Sequence, residues 1–234
     1  MITHRPSQAR GHVEHGWLNT YHTFSFAHYY DPDWMGFGPL RVINEDRIEA
    51  HQGFGEHFHS DMEILTYVIE GSLEHKDSLG NGSVIHPNEI QYMSAGTGIM
   101  HSEFNPGDQP VHLLQIWIEP RVAHVAPQYA EKQLQPKGSS LLELIASGDG
   151  RDASVHIRQD ADVYRSILSA GVSVTHYTND ERAVWLQLIT GTLQVNNLTL
   201  RAGDGCSITH EQELLLRADT DCHFLLFDMA TQRT

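Results

Sequence analysis

The sequence has little cysteine, little positive charge and no long apolar run. Its two cysteines lack a CxxC spacing and are too few for a disulfide framework, which favours a reducing, cytoplasmic compartment. Fifteen Lys and Arg residues stand against 30 Asp and Glu residues, giving a net charge of −15. That charge argues against nucleic acid or an acidic membrane as a partner. No stretch has the length of a signal peptide or a membrane span.

Short strands are what the sequence contains instead. The segments 63–73, 111–118 and 184–195 are rich in β-branched and aromatic residues and are bounded by Gly, Asn, Asp and Pro. The pair Asn81-Gly82, preceded by Gly80, predicts a hairpin turn. Several short strands at close spacing predict an all-β protein, either a sandwich or a closed barrel.

The stretch from Pro120 to Gly150 differs from its surroundings because it is rich in Pro and Gly. We interpret it as a crossover between two halves, with a short helix at Ser140–Ala146, whose sequence is SLLELIA. The chain then divides into an N-terminal barrel at residues 1–122, a crossover segment at 123–150 and a C-terminal barrel at 151–234.

The two halves resemble each other. The run ILTYVIEGSL at 64–73 aligns with VWLQLITGTL at 184–193, and Gly71 falls on Gly191. This offset predicts an internal duplication, although two strand-turn-strand units can also look alike by composition alone. At the same offset His57 falls on Tyr177 and His59 on Asn179. His101 falls near Leu216, because the offset slips by a few residues there. The second half is therefore expected to lack a metal.

Two short patterns carry the chemistry, namely His57-Phe58-His59 and His101-Ser102-Glu103. Residues i and i+2 of a strand point to the same face, so each pattern presents two ligand-capable side chains on one side. If the two strands face one another, three imidazoles and one carboxylate reach a single point. That set suits a first-row divalent metal with positions left open for a substrate.

The alternative is that these histidines are ordinary core or surface residues, since the chain has 17 of them. The coincidence of two such patterns in matching strand contexts favours the metal site. The remaining histidines lack such partners and are expected to be solvated or hydrogen-bonded, with His22 and His28 less certain. Core packing is expected for most aromatic residues of the segment 24–37, and a pocket wall is the alternative.

The same residues carry a resemblance to a known family. His57-x-His59-xxx-Glu63, closed by Gly71, is similar to the first cupin motif, and Gly98-xx-His101-xxx-Asn105 is similar to the second. The segments 22–46 and 93–105 resemble the pirin family within the cupins, in particular the bacterial pirin-like quercetinases. Gly96 departs from the general cupin pattern, which has proline there. The resemblance implies a bicupin, two jelly-roll-like antiparallel β-barrels related by internal duplication.

The resemblance also bears on the fourth ligand. Pirins take their carboxylate ligand from the second motif, which implies His57, His59, His101 and Glu103 as the metal ligands. Strand geometry agrees, because His101 and Glu103 share a face. Glu63 remains the alternative, either as a ligand or as a carboxylate that orients one of the imidazoles.

By this resemblance the function is a metal-dependent dioxygenase that cleaves flavonols such as quercetin. Glu103 is then both ligand and candidate catalytic base. The substrates are a flavonol, or another small phenol or enol, and dioxygen. One divalent metal per chain is expected; iron is favoured, with zinc, nickel, cobalt, manganese and copper as alternatives. We expect a monomer. The rival functions are a metal-dependent regulator that binds a protein partner and an isomerase or hydrolase that works without oxygen.

Overall fold

The computed structural model describes residues 1–136 and 141–231. These residues form strands and two short 3-10 turns, Ser7–Ala9 and Arg151–Ala153, which confirms the all-β prediction. In this part of the chain, no helix has the length and apolar character that crossing a membrane requires. The chain forms two compact units. The N-terminal unit comprises Gly11–Leu134 and Ile157–Gln159, and the C-terminal unit comprises Met1–Arg10, Gln135–His156 and Asp160–Thr234.

The first strand, β1 (Ile2–Arg5), belongs to the C-terminal unit, and the next nine strands form one sheet in the N-terminal unit. The nine are β2 (Gly11–Glu14), β3 (Leu18–His22), β4 (Leu40–Ile48), β5 (Gly53–Glu70), β6 (Leu73–Asp77), β7 (Gly82–Ile85), β8 (Glu89–Phe104), β9 (Val111–Ile118) and β10 (Gln128–Gln133). Their order is β2-β3-β4-β9-β5-β8-β6-β7, and β10 pairs with the N-terminal part of β8, from Glu89 to Ser94.

The C-terminal unit contains a seven-stranded and a four-stranded sheet. Its further strands are β11 (Glu143–Ser147), β12 (Val155–His156), β13 (Ala161–Leu168), β14 (Ser173–Tyr177), β15 (Arg182–Thr190), β16 (Thr192–Val195), β17 (Leu198–Arg201), β18 (Gly205–Thr209), β19 (Glu213–Ala218) and β20 (Cys222–Ala230). The sheet orders are β1-β18-β15-β20-β13-β11-β12 and β14-β19-β16-β17. Both cysteines are buried free thiols.

The predicted helix at Ser140–Ala146 is wrong. Ser140 lies outside the described residues, and Glu143–Ser147 is β11, which pairs antiparallel with β13 and parallel with β12. All five residues of β11 are buried. A short strand that is covered on both faces reads as a continuous apolar run, which periodicity does not distinguish from a buried helix.

The crossover segment predicted at 123–150 holds two strands that belong to different units. β10 pairs with β8 in the N-terminal unit, and β11 lies in the C-terminal unit. The compact units follow strand pairing and not chain order. The boundaries at residues 122 and 151 therefore stay a prediction.

The two units repeat the same hairpin, as the alignment of the halves predicts. β5 ends at Glu70 and β6 begins at Leu73, while β15 ends at Thr190 and β16 begins at Thr192. Gly71 and Gly191 lie in these turns with φ of 80° and 85°. A side chain at either position would be strained, and a Cβ on Gly191 would lie 2.2 Å from the carbonyl oxygen of Asp221.

Strand pairing also identifies the counterparts of the second motif. Glu103 pairs with Phe54 and His75, and Leu216 pairs with Val174 and Val195. Val174 lies 120 positions after Phe54, and Val195 lies 120 positions after His75. Leu216 therefore corresponds to Glu103. The counterpart of His101 is Leu214, two residues before the position that the alignment suggested. Both leucines are fully buried in the apolar core of the C-terminal unit.

β5 and β8 are bent at one level of the sheet. Asp61 pairs with Gly96, and both have positive φ, 63° and 48°, next to a shift in the strand register. The bend divides β5 into two segments. Glu63–Glu70 lies between β8 and β9, whereas Gly53–Asp61 pairs, among the described residues, with β8 alone.

Candidate metal centre

Three imidazoles meet on neighbouring strands. His57 and His59 lie on the Gly53–Asp61 segment of β5, and His101 lies on β8 directly opposite His57. One nitrogen from each ring lies within 4.8 Å of the other two. The predicted strands are therefore adjacent within one sheet and do not face each other across a barrel. The i, i+2 spacing still directs all three rings to one point.

The ring nitrogens are arranged as metal ligation requires. His57 Nδ1 lies 2.8 Å from the Gly55 carbonyl oxygen and donates to it, which leaves Nε2 with a free lone pair. His101 Nε2 is buried and has no hydrogen-bond partner among the described residues. An unpaired buried nitrogen is costly unless something else binds it. The donor set thus fits one divalent metal.

Burial keeps two of these imidazoles neutral. Burial first, and then the neighbouring imidazoles, lower the pKa of His59 to about 4 and the pKa of His101 to about 2. A neutral imidazole is the form that binds a metal. These two imidazoles are therefore able to bind a metal at neutral pH without the loss of a proton.

Glu103 lies beside the imidazole cluster, but its oxygens are not among the atoms that lie within 4.8 Å of one another. Its carboxylate is buried, and both oxygens accept hydrogen bonds of 2.9 Å from the Gln115 amide nitrogen. Burial raises the pKa of Glu103, against the lowering effects of Gln115, His75 and His57. A raised pKa makes this carboxylate a better proton acceptor.

Glu63 is held away from the imidazoles. Its oxygens accept hydrogen bonds from the Tyr92 hydroxyl, from the Ser94 hydroxyl at 2.6 Å and from the Arg158 backbone N–H at 2.8 Å. These hydrogen bonds join Glu63 to Tyr92, Ser94 and Arg158, and none of them joins it to a ligand-capable imidazole. The alternative in which Glu63 orients an imidazole stays a prediction. Glu63 ties the 157–159 segment to the sheet of the N-terminal unit.

A cavity of about 290 Å³ opens onto the cluster. Its lining includes the two β5 histidines, Glu103 and Gln115. One part of the wall is apolar, formed by Leu18, Phe26, Phe54 and Trp117. Another part of the wall is polar. It is formed by residues at alternate positions of β3 and β4, namely Thr20, His22, Asn44 and Asp46. A mostly apolar pocket with a few polar groups is typical of a small-molecule site.

Asp46 is a perturbed carboxyl group of this wall. Burial, and to a lesser degree the charges of Glu103 and Glu45, raise its pKa to about 7 against the lowering effect of a hydrogen bond from Thr20. At neutral pH this group therefore exists in both forms, and the protonated form can donate a hydrogen bond. His22, which the sequence left uncertain, lines the same wall and lies 2.8 Å from the Asn44 side-chain oxygen.

Aromatic rings flank the ligands. Trp117 packs edge-on against His59, with ring centroids 4.9 Å apart, and against Phe26 at 5.5 Å. Its indole nitrogen is buried and has no acceptor among the described residues. Phe26 thus lines the pocket, whereas Phe24 is buried in the core, His28 is exposed and Tyr30 is largely exposed.

Behind the cluster lies a histidine to which the sequence assigned no role. His75, on β6, is fully buried and lies 3.4 Å from His101, measured between the two Nδ1 atoms. Its Nε2 lies 3.2 Å from the Asp77 carboxylate. Burial raises the pKa of Asp77, but hydrogen bonds from Asn81, His75 and Leu79 outweigh this and hold it below its usual value.

Several of these residues were missed although they share a weak signal. His75 with Asp77, Asn44 with Asp46, and Gln115 with Trp117 each stand two positions apart on one strand. Polar residues at alternate positions of an otherwise apolar strand mark a buried polar face. The sequence does not say which strands pair, so the signal alone does not bring the three strands to one site.

The fold and the imidazole cluster define the class: a two-barrel cupin with a candidate metal centre in its N-terminal unit. Family models describe both parts of the chain, "Pirin" over residues 3–118 and "Quercetinase C-terminal cupin domain" over residues 144–229. The chain belongs to the pirin family.

Relatives with known names match along nearly the whole chain. A protein of Escherichia coli strain K12 named quercetin 2,3-dioxygenase is 47% identical over 230 residues, covering 98% of this chain and 99% of that protein. A pirin-like protein of Caulobacter vibrioides is 41% identical over 233 residues, covering 98% and 100%. This chain is thus a quercetin 2,3-dioxygenase-like member of the family.

Solved structures agree with the bicupin fold. The bacterial pirin YhhW from Escherichia coli, in complex with nickel(II), superposes with a TM-score of 0.95 at 47% identity, covering 99% of this chain and 100% of that one. A quercetin 2,3-dioxygenase from Acinetobacter baumannii superposes with a TM-score of 0.75 at 23% identity, covering 91% and 81%, which shows a shared fold alone. The nickel complex and the imidazole cluster together support one divalent metal.

Proposed function

We propose that this protein is a metal-dependent dioxygenase that cleaves flavonols such as quercetin. The observation that carries the proposal is the cavity of about 290 Å³, which is lined by two of the three clustered imidazoles, a buried carboxylate and aromatic rings. The name of the Escherichia coli relative supports the reaction and the substrate class.

The proposed ligands are His57, His59, His101 and Glu103. The three imidazoles lie together, and Glu103 lines the same cavity. A bound divalent metal would supply positive charge that acidifies a phenol or enol oxygen. Iron remains the metal favoured from the sequence, and the nickel complex of the relative supports nickel as well.

Glu103 is the proposed base for the 3-hydroxyl of the flavonol. Its pKa is raised by burial, and its oxygens face the Gln115 amide across 2.9 Å. Gln115 holds the carboxylate in position from β9, while the oxygens keep further lone pairs for an incoming proton.

The cavity walls are proposed to orient a planar substrate. Phe26 and Trp117 offer apolar faces, and the unpaired Trp117 N–H suits an oxygen acceptor on the substrate. Asp46, in its protonated form, can donate to a second oxygen. The apolar wall excludes water from the reacting carbon atoms.

Oxygen uptake tests this function. Metal-free protein is reconstituted with Fe, Mn, Co, Ni, Cu or Zn in turn, and dioxygen consumption with quercetin is recorded. We expect uptake that needs metal, substrate and protein together. No uptake with any metal and any flavonol would reject the oxygenase.

The regulatory function is kept as the second candidate because one exposed residue supports it. Phe58 lies between the two β5 histidines, and its side chain is 60% exposed. In this function the exposed Phe58 ring would offer a partner an apolar contact next to the metal centre. A substrate-sized cavity favours the enzyme. Monomeric state and cytoplasmic location stay predictions.

A further inference from the structure

Asp77, His75 and His101 form a hydrogen-bonded row that ends at the candidate metal position. The Asp77 oxygen lies 3.2 Å from His75 Nε2, and His75 Nδ1 lies 3.4 Å from His101 Nδ1. The far nitrogen of His101, Nε2, is the buried atom without a partner. All three side chains are buried.

The direction of the hydrogen bonds follows from the Asp77 end. Asp77 also accepts from the backbone N–H of Leu79 at 2.9 Å and of Asn81 at 3.0 Å, and from the Asn81 side-chain amide at 2.9 Å. A carboxylate that accepts so many hydrogen bonds stays ionised, so it takes a proton from His75 and donates none. In the neutral form of His75 the proton is therefore on Nε2, and Nδ1 is an acceptor.

The tautomer of His75 sets the tautomer of His101. Because His75 Nδ1 is an acceptor, the His101 Nδ1 opposite it must carry the proton. Neutral His101 then has its lone pair on Nε2, on the side of the imidazole cluster. We propose that His75 and Asp77 are positioning residues that set the tautomer and orientation of His101 before any metal arrives.

The surroundings of His75 support this role. Its ring is stacked on Tyr129, with centroids 5.0 Å apart and planes 26° apart, and its other neighbour is the His101 ring at 5.3 Å. Tyr129 is itself held by the Ser83 hydroxyl at 2.6 Å. The ring thus has one orientation, and both of its nitrogens are used. A core residue needed only to fill space would not require either nitrogen.

The inference rests on the proposed metal site, but its first test needs no metal. Long-range 15N–1H correlation spectra of metal-free protein at pH 8 report which nitrogen of each neutral histidine carries the proton. The His101 signals are assigned by their loss in His101→Asn. We expect the proton on Nδ1. A proton on Nε2 of His101 in the wild-type protein would overturn the proposal.

The second test removes the row. His75→Phe keeps the aromatic stack on Tyr129 and removes both nitrogens. We expect the His101 proton to move wholly or partly to Nε2, and the Kd for nickel(II), measured against a chelator, to rise about 10- to 100-fold. Asp77→Asn should shift both readouts in the same direction. An unchanged tautomer and a Kd within about threefold of wild type in His75→Phe would refute the role.

His112→Phe is the matched control. His112 is also buried and lies 2.9 Å from a carboxylate, that of Glu45, but it is not part of the row. Its loss should leave the His101 tautomer and the nickel Kd unchanged. A failure of the oxygenase proposal is distinguishable, because absent oxygen uptake would leave the tautomer and the Kd values as expected here.

Discussion

Replacing Glu103 by glutamine tests its role in proton transfer while the shape of the site is kept. The side chain keeps its size, but the amide does not accept the proton of the flavonol 3-hydroxyl. Loss of a general base typically costs about 10²- to 10⁴-fold in rate. We therefore expect turnover of Glu103→Gln to fall at least about 100-fold.

The structure indicates that the fold survives this change. Gln115 donates to both Glu103 oxygens at 2.9 Å, and the amide retains one of these acceptors. The lost hydrogen bond costs about 1 kcal/mol. Burial already disfavours the charged form of Glu103, as its raised pKa shows, so a neutral side chain recovers part of that cost.

Oxygen uptake with quercetin, normalised to metal measured in the same sample, is the assay. Normalisation is necessary because the variant also loses a proposed ligand and binds metal more weakly. Glu89→Gln is the control, since Glu89 lies on the same strand as Glu103, accepts a hydrogen bond from the His86 backbone N–H and does not line the cavity. Metal-normalised activity near the wild-type value would show that Glu103 is a bystander. Glu63 or a water molecule would then be the better base.

Three further predictions concern the ligands, the cavity wall and the bend. His57→Ala and His101→Ala should each lose most of the bound metal by elemental analysis, and full occupancy in both would disprove the assignment. The pKa of Asp46 is raised to about 7, so the protonated form that donates a hydrogen bond is present below that pH and lost above it. The KM of the wild-type protein for quercetin should therefore rise with pH through 7 relative to that of Asp46→Asn. The same pH dependence of KM in both proteins would contradict this. Gly96→Pro introduces the residue that is usual in cupins, yet the φ of 48° at this position excludes proline. Urea unfolding should therefore show that the free energy of unfolding falls by about 3 kcal/mol or more. An unchanged free energy of unfolding would show that the bend adapts.

The sequence predicted those parts of the fold that depend on local pattern. The strand at Val111–Ile118 and the turn at Asn81-Gly82 were found because alternation and turn formers are visible within a few residues. The three imidazoles were found for the same reason, since a period of two places side chains on one face. β11 was mistaken for a helix because a short apolar run fits both structures.

Most of the environment of the imidazoles was not predictable in this way. Gln115 acts on Glu103 from β9, and His75 meets His101 only because β6 pairs with β8. Each of these contacts joins residues that are distant in sequence, and their strand register is not written in local composition. The displacement of the His101 counterpart from Leu216 to Leu214 has the same origin, since only pairing reveals it.

The one-sided pairing of Gly53–Asp61 bears on how a metal enters and leaves. Two of the three imidazoles are carried by a strand segment that, among the described residues, has β8 as its single neighbour. Such a segment can separate from β8 while Ile64–Val68, which is buried between two strands, stays in place. Opening would part His57 and His59 from His101 without unfolding the barrel. If these imidazoles hold a metal as proposed, we expect its exchange rate to follow fraying of a sheet edge and not the stability of the whole protein.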